Sequence, residues 1–152
     1  MILVTVGSQK FQFDRLLRAV DELIEKGAIS EKVFGQIGCS TYIPKHYEYK
    51  RFLDREEFAA RESECDILIT HAGTGAIINA VKKGKKVIAV PRLASYGEHV
   101  DDHQIQLIEQ FREQNLICGI AGVTELEKAL QYVKEHEFDA YISSTKAILE
   151  SI

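Results

Sequence analysis

The stretch CDILITHAGTGAIINAVKKGKKVIAVP, residues 65–91, decides the fold. Its apolar run at 66–69 shows no alternation and ends at a His-Ala-Gly-Thr-Gly turn, after which helical spacing and a second apolar run at 87–90 follow. Such runs are typical of parallel strands that helices cover on both faces, so both runs are expected at the centre of a sheet. The first backbone N–H groups of the intervening helix lack partners within the helix, and they favour an anion.

The same alternation of β-rich runs and helical patterns extends over the rest of the chain. This order predicts βα units around a mainly parallel sheet, that is, an α/β Rossmann-like domain of three layers. The expected strands are 2–7, 32–38, 49–53, 66–72, 86–91 and 116–120, and the expected helices are 14–27, 55–64, 74–84, 100–115 and 123–136.

Two of the predicted helices carry signals for where they end or begin, and a third helical segment is expected at the end of the sequence. The helix at 14–27 carries one apolar stripe and has Gly27 as its stop. The helix at 123–136 opens with Thr124, and Glu127 three positions later predicts a capping box. The final stretch, about 140–152, is expected to be a short helix that either packs on its own domain or docks on a partner.

Length and composition narrow the class of protein. A chain of 152 residues, 45% hydrophobic and 28% charged, is expected to form a single domain over 1–152. The net charge of -4 gives no electrostatic footprint for nucleic acid, and no nucleic-acid partner is expected. The first residues form an apolar run without a charged leader, and no segment reaches the roughly 18 apolar residues of a membrane span. A cytoplasmic location is therefore expected.

The cysteines give no sign of a disulfide framework or a zinc site. Cys39, Cys65 and Cys118 are odd in number and far apart, so they are expected to be reduced structural thiols. Cys39 is a weak candidate for a nucleophile because no neighbouring residue is identifiable as its base.

Ligands of open parallel sheets bind beyond the carboxyl ends of the strands, where loops lead into helices. After the first strand, Gly7 and Ser8 suit either the close approach of a ligand or a simple turn. These two residues are the first candidates for a binding site.

The loop after the fourth strand is a candidate for diphosphate binding. It contains His71, Gly73, Thr74 and Gly75, where the glycines let the backbone approach a ligand and Thr74 can cap the helix. The same residues also fit a tight strand-to-helix turn without a ligand. Asn79, one helical turn after Gly75, could face a ribose hydroxyl or be an ordinary polar residue of the helix.

The loop after the fifth strand enters its helix through EHVDDHQ, residues 98–104. Acidic residues at a helix start are ordinary partners of the helix dipole. The candidates for substrate binding are Glu98, His99, His103 and Gln104, of which the last two form a donor and acceptor pair that could contact the hydroxyl groups of a sugar. His99 and His103 also have the spacing of metal ligands, but no third ligand is placed by the sequence and no metal is expected.

Two common nucleotide-binding motifs are missing. A dinucleotide fingerprint requires a third glycine where Ile78 stands, and a Walker-type loop requires Gly-Lys-Ser/Thr. NAD and ATP are therefore disfavoured. A flavodoxin-like or dinucleotide module, which would carry bound flavin or nicotinamide, stays as an alternative.

Two basic stretches have different interpretations. Lys82 and Lys83 end a helix before Gly84, where cations offset the helix dipole. The run at 44–51 is a candidate for contact with an anionic membrane surface or a partner. Its relevant side chains, together with a nearby tyrosine, are Lys45, His46, Lys50, Arg51, Tyr42, Tyr47 and Tyr49.

Five stretches together carry a resemblance to a known family: MILVTVGS, FDRLLRAVDEL, THAGTGAIINAV, GKKVIAVPR and YGEHVDDHQ. Over nearly its whole length the chain resembles the C-terminal, donor-binding half of GT-B glycosyltransferases related to MurG. It is most similar to stand-alone half-enzymes, namely the PssE-type subunits of bacterial exopolysaccharide synthesis and the catalytic subunit of the eukaryotic dolichol-linked N-acetylglucosaminyltransferase. Such subunits work with a membrane-anchored, PssD-like chain that supplies the acceptor half.

The resemblance also implies roles for individual residues. The turn at Gly73–Gly75 would hold the diphosphate of UDP, Asn79 the ribose, and His103 with Gln104 the donor sugar. Gly7 and Ser8 would border the same cleft. MurG has a glutamate where this chain has Asn79, so the ribose contact departs from the family pattern. The family's proposed general base lies in the other half, which leaves the catalytic residue of this chain unknown.

The function implied is that of a donor-binding catalytic subunit of a two-component glycosyltransferase. It would move a hexose or N-acetylhexosamine from a UDP-sugar to a polyprenyl-diphosphate-linked acceptor in polysaccharide synthesis, with no cofactor besides the donor substrate. The partner would recruit it to the inner face of the membrane. The alternative is a non-catalytic, nucleotide-binding regulatory subunit.

Overall fold

The structure of the protein is a computed structural model that describes residues 1–6, 12–71, 74–90, 102–120 and 122–138. At residues 74, 75, 102–105 and 107 it describes the backbone but not the burial or contacts of the side chain.

Parallel strands form the middle layer of the described part of the chain. They are β1 (Ile2–Thr5), β2 (Val33–Gln36), β3 (Glu48–Lys50), β4 (Ile67–Thr70), β5 (Lys86–Ala89) and β6 (Cys118–Gly119). The strand order is β3-β2-β1-β4-β5-β6, and every neighbouring pair is parallel. The strands predicted at 66–72 and 2–7 are therefore the central pair, and β5 follows them toward the short edge strand β6.

The helices form the two outer layers. They are α1 (Asp14–Glu25), α2 (Arg55–Glu64), α3 (Thr74–Lys82), α4 (Asp102–Glu113) and α5 (Leu126–Glu135), with a 3-10 turn at Val123–Glu125 before α5. Within the described residues, each helix and strand predicted from the sequence is present, mostly with shorter bounds. The prediction of a three-layer α/β fold is confirmed.

The alternation of side chains along each strand divides the core between the two faces of the sheet. On one face, Val4 and Ile69 pack with buried residues of α1 and α5. On the other face, Leu3, Leu68 and Val87 pack with buried residues of α3 and α4. Because helices cover both faces, the central strands are buried along their whole length.

Most of the predicted helix details are confirmed, and one is wrong. Gly27 follows α1 with a φ of 84°, the left-handed conformation expected of a helix stop. The capping box of Thr124 and Glu127 is not formed, because Thr124 lies inside the 3-10 turn and α5 has no side-chain cap. Entry through that turn moves the start of α5 to Leu126, and Glu127 instead pairs with Lys26 at 2.6 Å.

Two predictions about the chain as a whole stay predictions. The segment at about 140–152 lies outside the described residues, so the structure tests neither its helix nor the single domain over 1–152. Among the helices that the structure does describe, none combines the length and the hydropathy needed to cross a bilayer.

Two carboxylates of α1 hold the segment at 40–47 against the helix. Asp21 is buried and accepts hydrogen bonds from the Tyr42 hydroxyl at 2.6 Å and from the backbone N–H groups of Lys45 and His46 at 2.8 and 2.9 Å. Asp14 accepts from the backbone N–H groups of residues 41 and 42. Burial and the bond to Asp21 raise the pKa of Tyr42 to about 12, so its phenol remains a donor at neutral pH.

Replacing Asp21 with alanine is expected to lower the free energy of unfolding by about 3 kcal/mol, because three donors lose a charged acceptor in a buried place. Urea denaturation measures this change. Glu22→Ala, at the exposed neighbouring position of α1, is the matched control and should change stability by less than about 0.5 kcal/mol. Equal effects of the two substitutions would contradict the role of Asp21 in holding the segment at 40–47 against α1.

Replacing Gly35 with alanine is also expected to destabilise the protein, by about 1–3 kcal/mol. A Cβ at Gly35 would lie 2.8 Å from Cε2 of Tyr47, whose ring is buried and whose hydroxyl donates to the Leu17 carbonyl at 3.0 Å. Gly122→Ala is the control, since a Cβ there meets nothing within 4 Å. Thermal and urea unfolding of the two variants should differ clearly, and a neutral Gly35→Ala would show that Tyr47 can move aside.

Candidate functional site

Polar side chains form one row across the carboxyl ends of the central strands. Thr5 of β1 is in register with Gln36 of β2 and Thr70 of β4. All three are buried, and the Thr5 hydroxyl donates to Oε1 of Gln36 at 2.7 Å. On the same face, Leu3 and Leu68 two residues earlier belong to the apolar core. The face thus changes from apolar to polar at the edge where parallel sheets bind ligands.

A cavity of about 360 Å³ opens beside this row, between α2 and α3. The volume is within the range of small-molecule sites. From the sheet the cavity is lined by Thr5, Gln36 and His71, from α2 and the residues before it by Leu53, Asp54, Arg55, Phe58, Ala59 and Glu62, and from α3 and the residue after it by Ala76, Asn79 and Lys83. The lining residues of each helix are three or four positions apart, so they lie on one face of that helix. The two faces point toward each other, with the cavity between them.

The cavity brings together two of the residues predicted as a binding site, His71 and Asn79. His71 follows β4 directly and is buried, with its backbone N–H donating to the carbonyl of Thr5 at 3.3 Å. Its ring Nδ1 lies 3.4 Å from the Thr70 hydroxyl. Because His71 is anchored to the polar row by its backbone, its position depends on the register of β1 and β4.

The starts of α2 and α3 differ at this edge. The side chain of Asp54 caps α2 by accepting from the backbone N–H of Glu57 at 2.7 Å, so one of the first donors of α2 is already used and a carboxylate lies at its start. α3 begins at Thr74, and Ala76 in its first turn lines the cavity. The first backbone N–H groups of α3 have no partner within the helix and lie at its positive dipole end, and no carboxylate cap is described there, so the first turn of α3 is the better place for an anion.

The other predicted site residues are described only in part. α4 begins at Asp102, so His103 and Gln104 are its second and third residues, and α4 follows β5, the strand next to β4 in the sheet. Thr74 and Gly75 are likewise placed by the backbone of α3. Gly7, Ser8, Gly73, Glu98 and His99 lie outside the described residues, and their roles stay predictions.

The sequence interpretation missed Glu62 as a residue of the cavity. Its side chain is 2% exposed; Oε1 pairs with Nζ of Lys83 at 3.0 Å, whereas Oε2 has no hydrogen-bond partner among the described residues. Leaving such a buried acceptor unpaired costs about 1–3 kcal/mol. The signal in the sequence was the position of Glu62 one turn after Phe58, the most apolar residue of α2. Lys83, interpreted as a dipole partner at the end of α3, also pairs with this carboxylate.

The run at 44–51 is mostly used within the protein, which weakens its interpretation as a contact surface. Tyr47 is buried, and Tyr42 donates to Asp21. Lys50 pairs with Glu57 at 2.6 Å, and Arg51 donates to the carbonyl of Ser40 at 3.0 Å. These side chains therefore stabilise the edge of the fold; Lys45, His46 and Tyr49 are exposed.

The described cysteines form no disulfide, as expected. Cys39 is exposed, Cys65 is buried, and Cys118 is half-buried. Burial raises the pKa of Cys65 to about 11 and also raises that of Cys118, which keeps both as thiols at neutral pH. Within the described ranges, no group of three or more His, Cys, Asp or Glu side chains could hold a metal ion.

Two further cavities lie away from the carboxyl ends of the central strands. One, of about 380 Å³, is lined mainly by β6, α5 and the end of α4, and includes Ile120 and Tyr132. The other, of about 400 Å³, lies at the amino ends of β4 and β5 and is lined largely by lysines. Neither contains a residue predicted for the binding site, so the groove between α2 and α3 is the candidate site.

Comparison with protein families gives a match over almost the whole chain. Residues 1–151 match the model of the "Glycosyltransferase family 28 C-terminal domain".

The chain is also similar in sequence to curated proteins that share one name. The chain is 30% identical over 99 residues to the UDP-N-acetylglucosamine transferase subunit ALG13 of Yarrowia lipolytica, covering 64% of this chain and 48% of that protein. It is 34% identical over 73 residues to the subunit of the same name from Kluyveromyces lactis, covering 47% of this chain and 35% of that protein. The match thus spans half or less of the length of these relatives.

Solved structures show the same fold. A solution structure of ALG13 has a TM-score of 0.62 at 19% identity, covering 98% of this chain and 92% of that chain. The crystal structure of Acinetobacter baumannii MurG also has a TM-score of 0.62, at 16% identity, covering 88% of this chain and 41% of that chain. With the sheet order, the cavity at its carboxyl edge and the family match in agreement, the chain belongs to the glycosyltransferase family 28 C-terminal domain family.

Proposed function

We propose that this chain is the donor-binding catalytic subunit of a two-component glycosyltransferase, with a UDP-sugar as its donor. The observation that carries the proposal is a cavity that joins Asn79 to the first turn of α3 at the carboxyl edge of the sheet. A nucleoside diphosphate requires both a groove and an anion site, and these two features adjoin here. Membership of a glycosyltransferase family supplies the reaction class.

In this proposal the nucleoside lies between α2 and α3. Leu53 and Phe58 supply apolar surface for the base, and Asn79 faces the ribose. The diphosphate lies at the start of α3, where Gly73 and Gly75 let the backbone approach it closely. Negative charge develops on UDP as the bond to the sugar breaks. The N–H groups and dipole of α3 stabilise this charge at the position where it forms.

The sugar extends from the diphosphate toward α4. His103 and Gln104, in the first turn of α4, would contact its hydroxyl groups. N-Acetylglucosamine is the first donor to test, because the relatives are named UDP-N-acetylglucosamine transferase subunits. Specificity among hexoses and N-acetylhexosamines rests on one or two hydrogen bonds at this end of the site.

The acceptor half of the reaction is proposed to come from a partner chain. A membrane-anchored, PssD-like subunit would bind a polyprenyl-diphosphate-linked acceptor, provide the general base and hold the complex at the inner face of the membrane. The curated relatives are themselves named subunits, and this supports a two-component enzyme. The groove described here accounts for the donor half alone.

Two substitutions are expected to separate the nucleoside contact from the diphosphate contact. Gly75→Val should weaken UDP binding by at least about tenfold and uridine binding little, because a side chain there blocks the phosphates at the start of α3. Asn79→Ala should weaken both ligands by a similar factor of about three to ten, because it removes a ribose contact that both ligands make. Calorimetric or NMR titration of the isolated chain measures these affinities.

Lys82→Ala is the control for both variants, since Lys82 is exposed on α3 and does not line the cavity. It should bind UDP and uridine like the original chain. A Gly75→Val variant that is folded by circular dichroism and binds UDP with unchanged affinity would rule out the diphosphate site.

Reconstitution with the membrane-anchored partner is expected to give transfer of the sugar to the lipid-linked acceptor. Radiolabelled UDP-N-acetylglucosamine and UDP-glucose, each supplied to vesicles containing the two chains, would report the product. His103→Ala or Gln104→Ala should lower turnover or change the preferred donor, with less effect on UDP affinity, because the proposal assigns these residues to the sugar rather than to the nucleotide. UDP binding without transfer, when the partner alone transfers sugar, would favour the regulatory alternative.

A further inference from the structure

Glu62 is a buried carboxylate of which the described residues satisfy only one oxygen. It is the one buried residue among those of α2, a helix otherwise rich in exposed charge. Lys83 satisfies Oε1 at 3.0 Å, and Oε2 is left without a donor. Buried polar groups in folded proteins are nearly always paired, so an orphaned oxygen of this kind requires an explanation.

The position of Glu62 relates it to Asn79. Asn79 and Lys83 are four residues apart, so they lie on the same side of α3, and both line the groove. Glu62 reaches Lys83 from the facing helix and lines the groove as well. The carboxylate is therefore placed opposite the part of α3 that carries Asn79.

The charge of the pair limits what the free oxygen accepts. The ammonium of Lys83 already compensates the carboxylate, so a second cation would leave an excess positive charge and an anion would meet a carboxylate. A neutral donor, such as a hydroxyl group, satisfies Oε2 without changing the net charge. A ribose offers two neighbouring hydroxyl groups, whereas the amide of Asn79 has one acceptor oxygen.

We propose that Glu62 is a second ribose-binding residue, with Oε2 accepting a hydrogen bond from a ribose hydroxyl of the nucleoside diphosphate. This assignment rests on the proposed function, because it assumes that the groove holds a nucleoside. Asn79 and Glu62 then face the ribose from α3 and α2, and ligand binding completes the hydrogen bonds of the carboxylate. The energetic cost of the orphaned oxygen in the empty groove is recovered when the ligand binds.

The test compares UDP with 2′-deoxy-UDP and 3′-deoxy-UDP on the intact chain. The original protein is expected to bind at least one deoxy analogue about tenfold more weakly than UDP. Glu62→Gln is expected to bind UDP about tenfold more weakly and to lose that discrimination, because a neutral amide oxygen is a weaker acceptor than a carboxylate. Titration calorimetry gives the six affinities.

Glu64→Gln is the matched control, since Glu64 belongs to the same helix and its side chain is 61% exposed. It should bind all three ligands like the original chain. Urea denaturation of both variants checks the fold. Glu62→Asp, which keeps the charge and withdraws the oxygen, replaces Glu62→Gln if the latter unfolds, and should also lose the discrimination.

The outcomes separate this inference from the proposed function. A chain that does not bind UDP contradicts both. A chain that binds UDP but discriminates equally with glutamate or glutamine at position 62, or that does not discriminate against either deoxy analogue, contradicts the role of Glu62 alone. Loss of stability in Glu62→Gln with unchanged discrimination would show that the carboxylate is purely structural.

Discussion

The register of the central strands is the constraint on which the candidate site depends. It sets Gln36, Thr5 and Thr70 side by side at the carboxyl ends of β2, β1 and β4. If either pairing slipped by one residue, the polar side chain of the shifted strand would point to the opposite face of the sheet. There it would meet the apolar side chains of α1 and α5. The long apolar runs that fix the register also fix where the polar groove opens.

The groove exists because α2 is a poor partner for close packing. Apart from Phe58, its face toward α3 carries small or charged side chains, so the two helices enclose a cavity instead of interdigitating. The guanidinium of Arg61 lies 4.0 Å from the ring centroid of Phe34, and this stacking holds α2 against the sheet from the other side. Attachment at few points keeps α2 in place while leaving the space beside α3 open.

The sequence predicted the fold almost completely because the fold rests on patterns that span several residues. Unbroken apolar runs identified the central strands, and the apolar stripe with Gly27 identified α1. Local capping was less predictable: Thr124 and Glu127 have the right spacing, but a 3-10 turn displaces the start of α5. A capping box depends on the conformation of one or two residues, which the path of the preceding chain determines.

The sequence could predict those residues of the candidate site that follow the end of a central strand, but not those that packing between helices brings to it. His71 and Asn79 could be found because a turn rich in glycine ends a central strand, and the structure brings both to one cavity. Glu62 and Lys83 could not, since their pairing links two different helices and a glutamate or a lysine in a charged helix is ordinarily expected at the surface. The burial of Tyr47, which lies in the basic run at 44–51, was also not predictable, because it depends on a contact between distant parts of the sequence. The Tyr47 hydroxyl donates to the carbonyl of Leu17 in α1, thirty residues away.

The distribution of charge along the groove also gives a ligand only one favourable direction. At the carboxyl edge, the first turn of α3 presents backbone donors and the positive end of its dipole. At the inner end, the carboxylate of Glu62 presents an acceptor that repels phosphate and whose charge Lys83 compensates. A nucleoside diphosphate entering with its phosphates inward would meet that carboxylate and leave the donors of α3 unused. In the proposed binding mode the phosphates face outward, and the attached sugar would then lie at the carboxyl edge of the sheet, where the proposed partner chain could contact it.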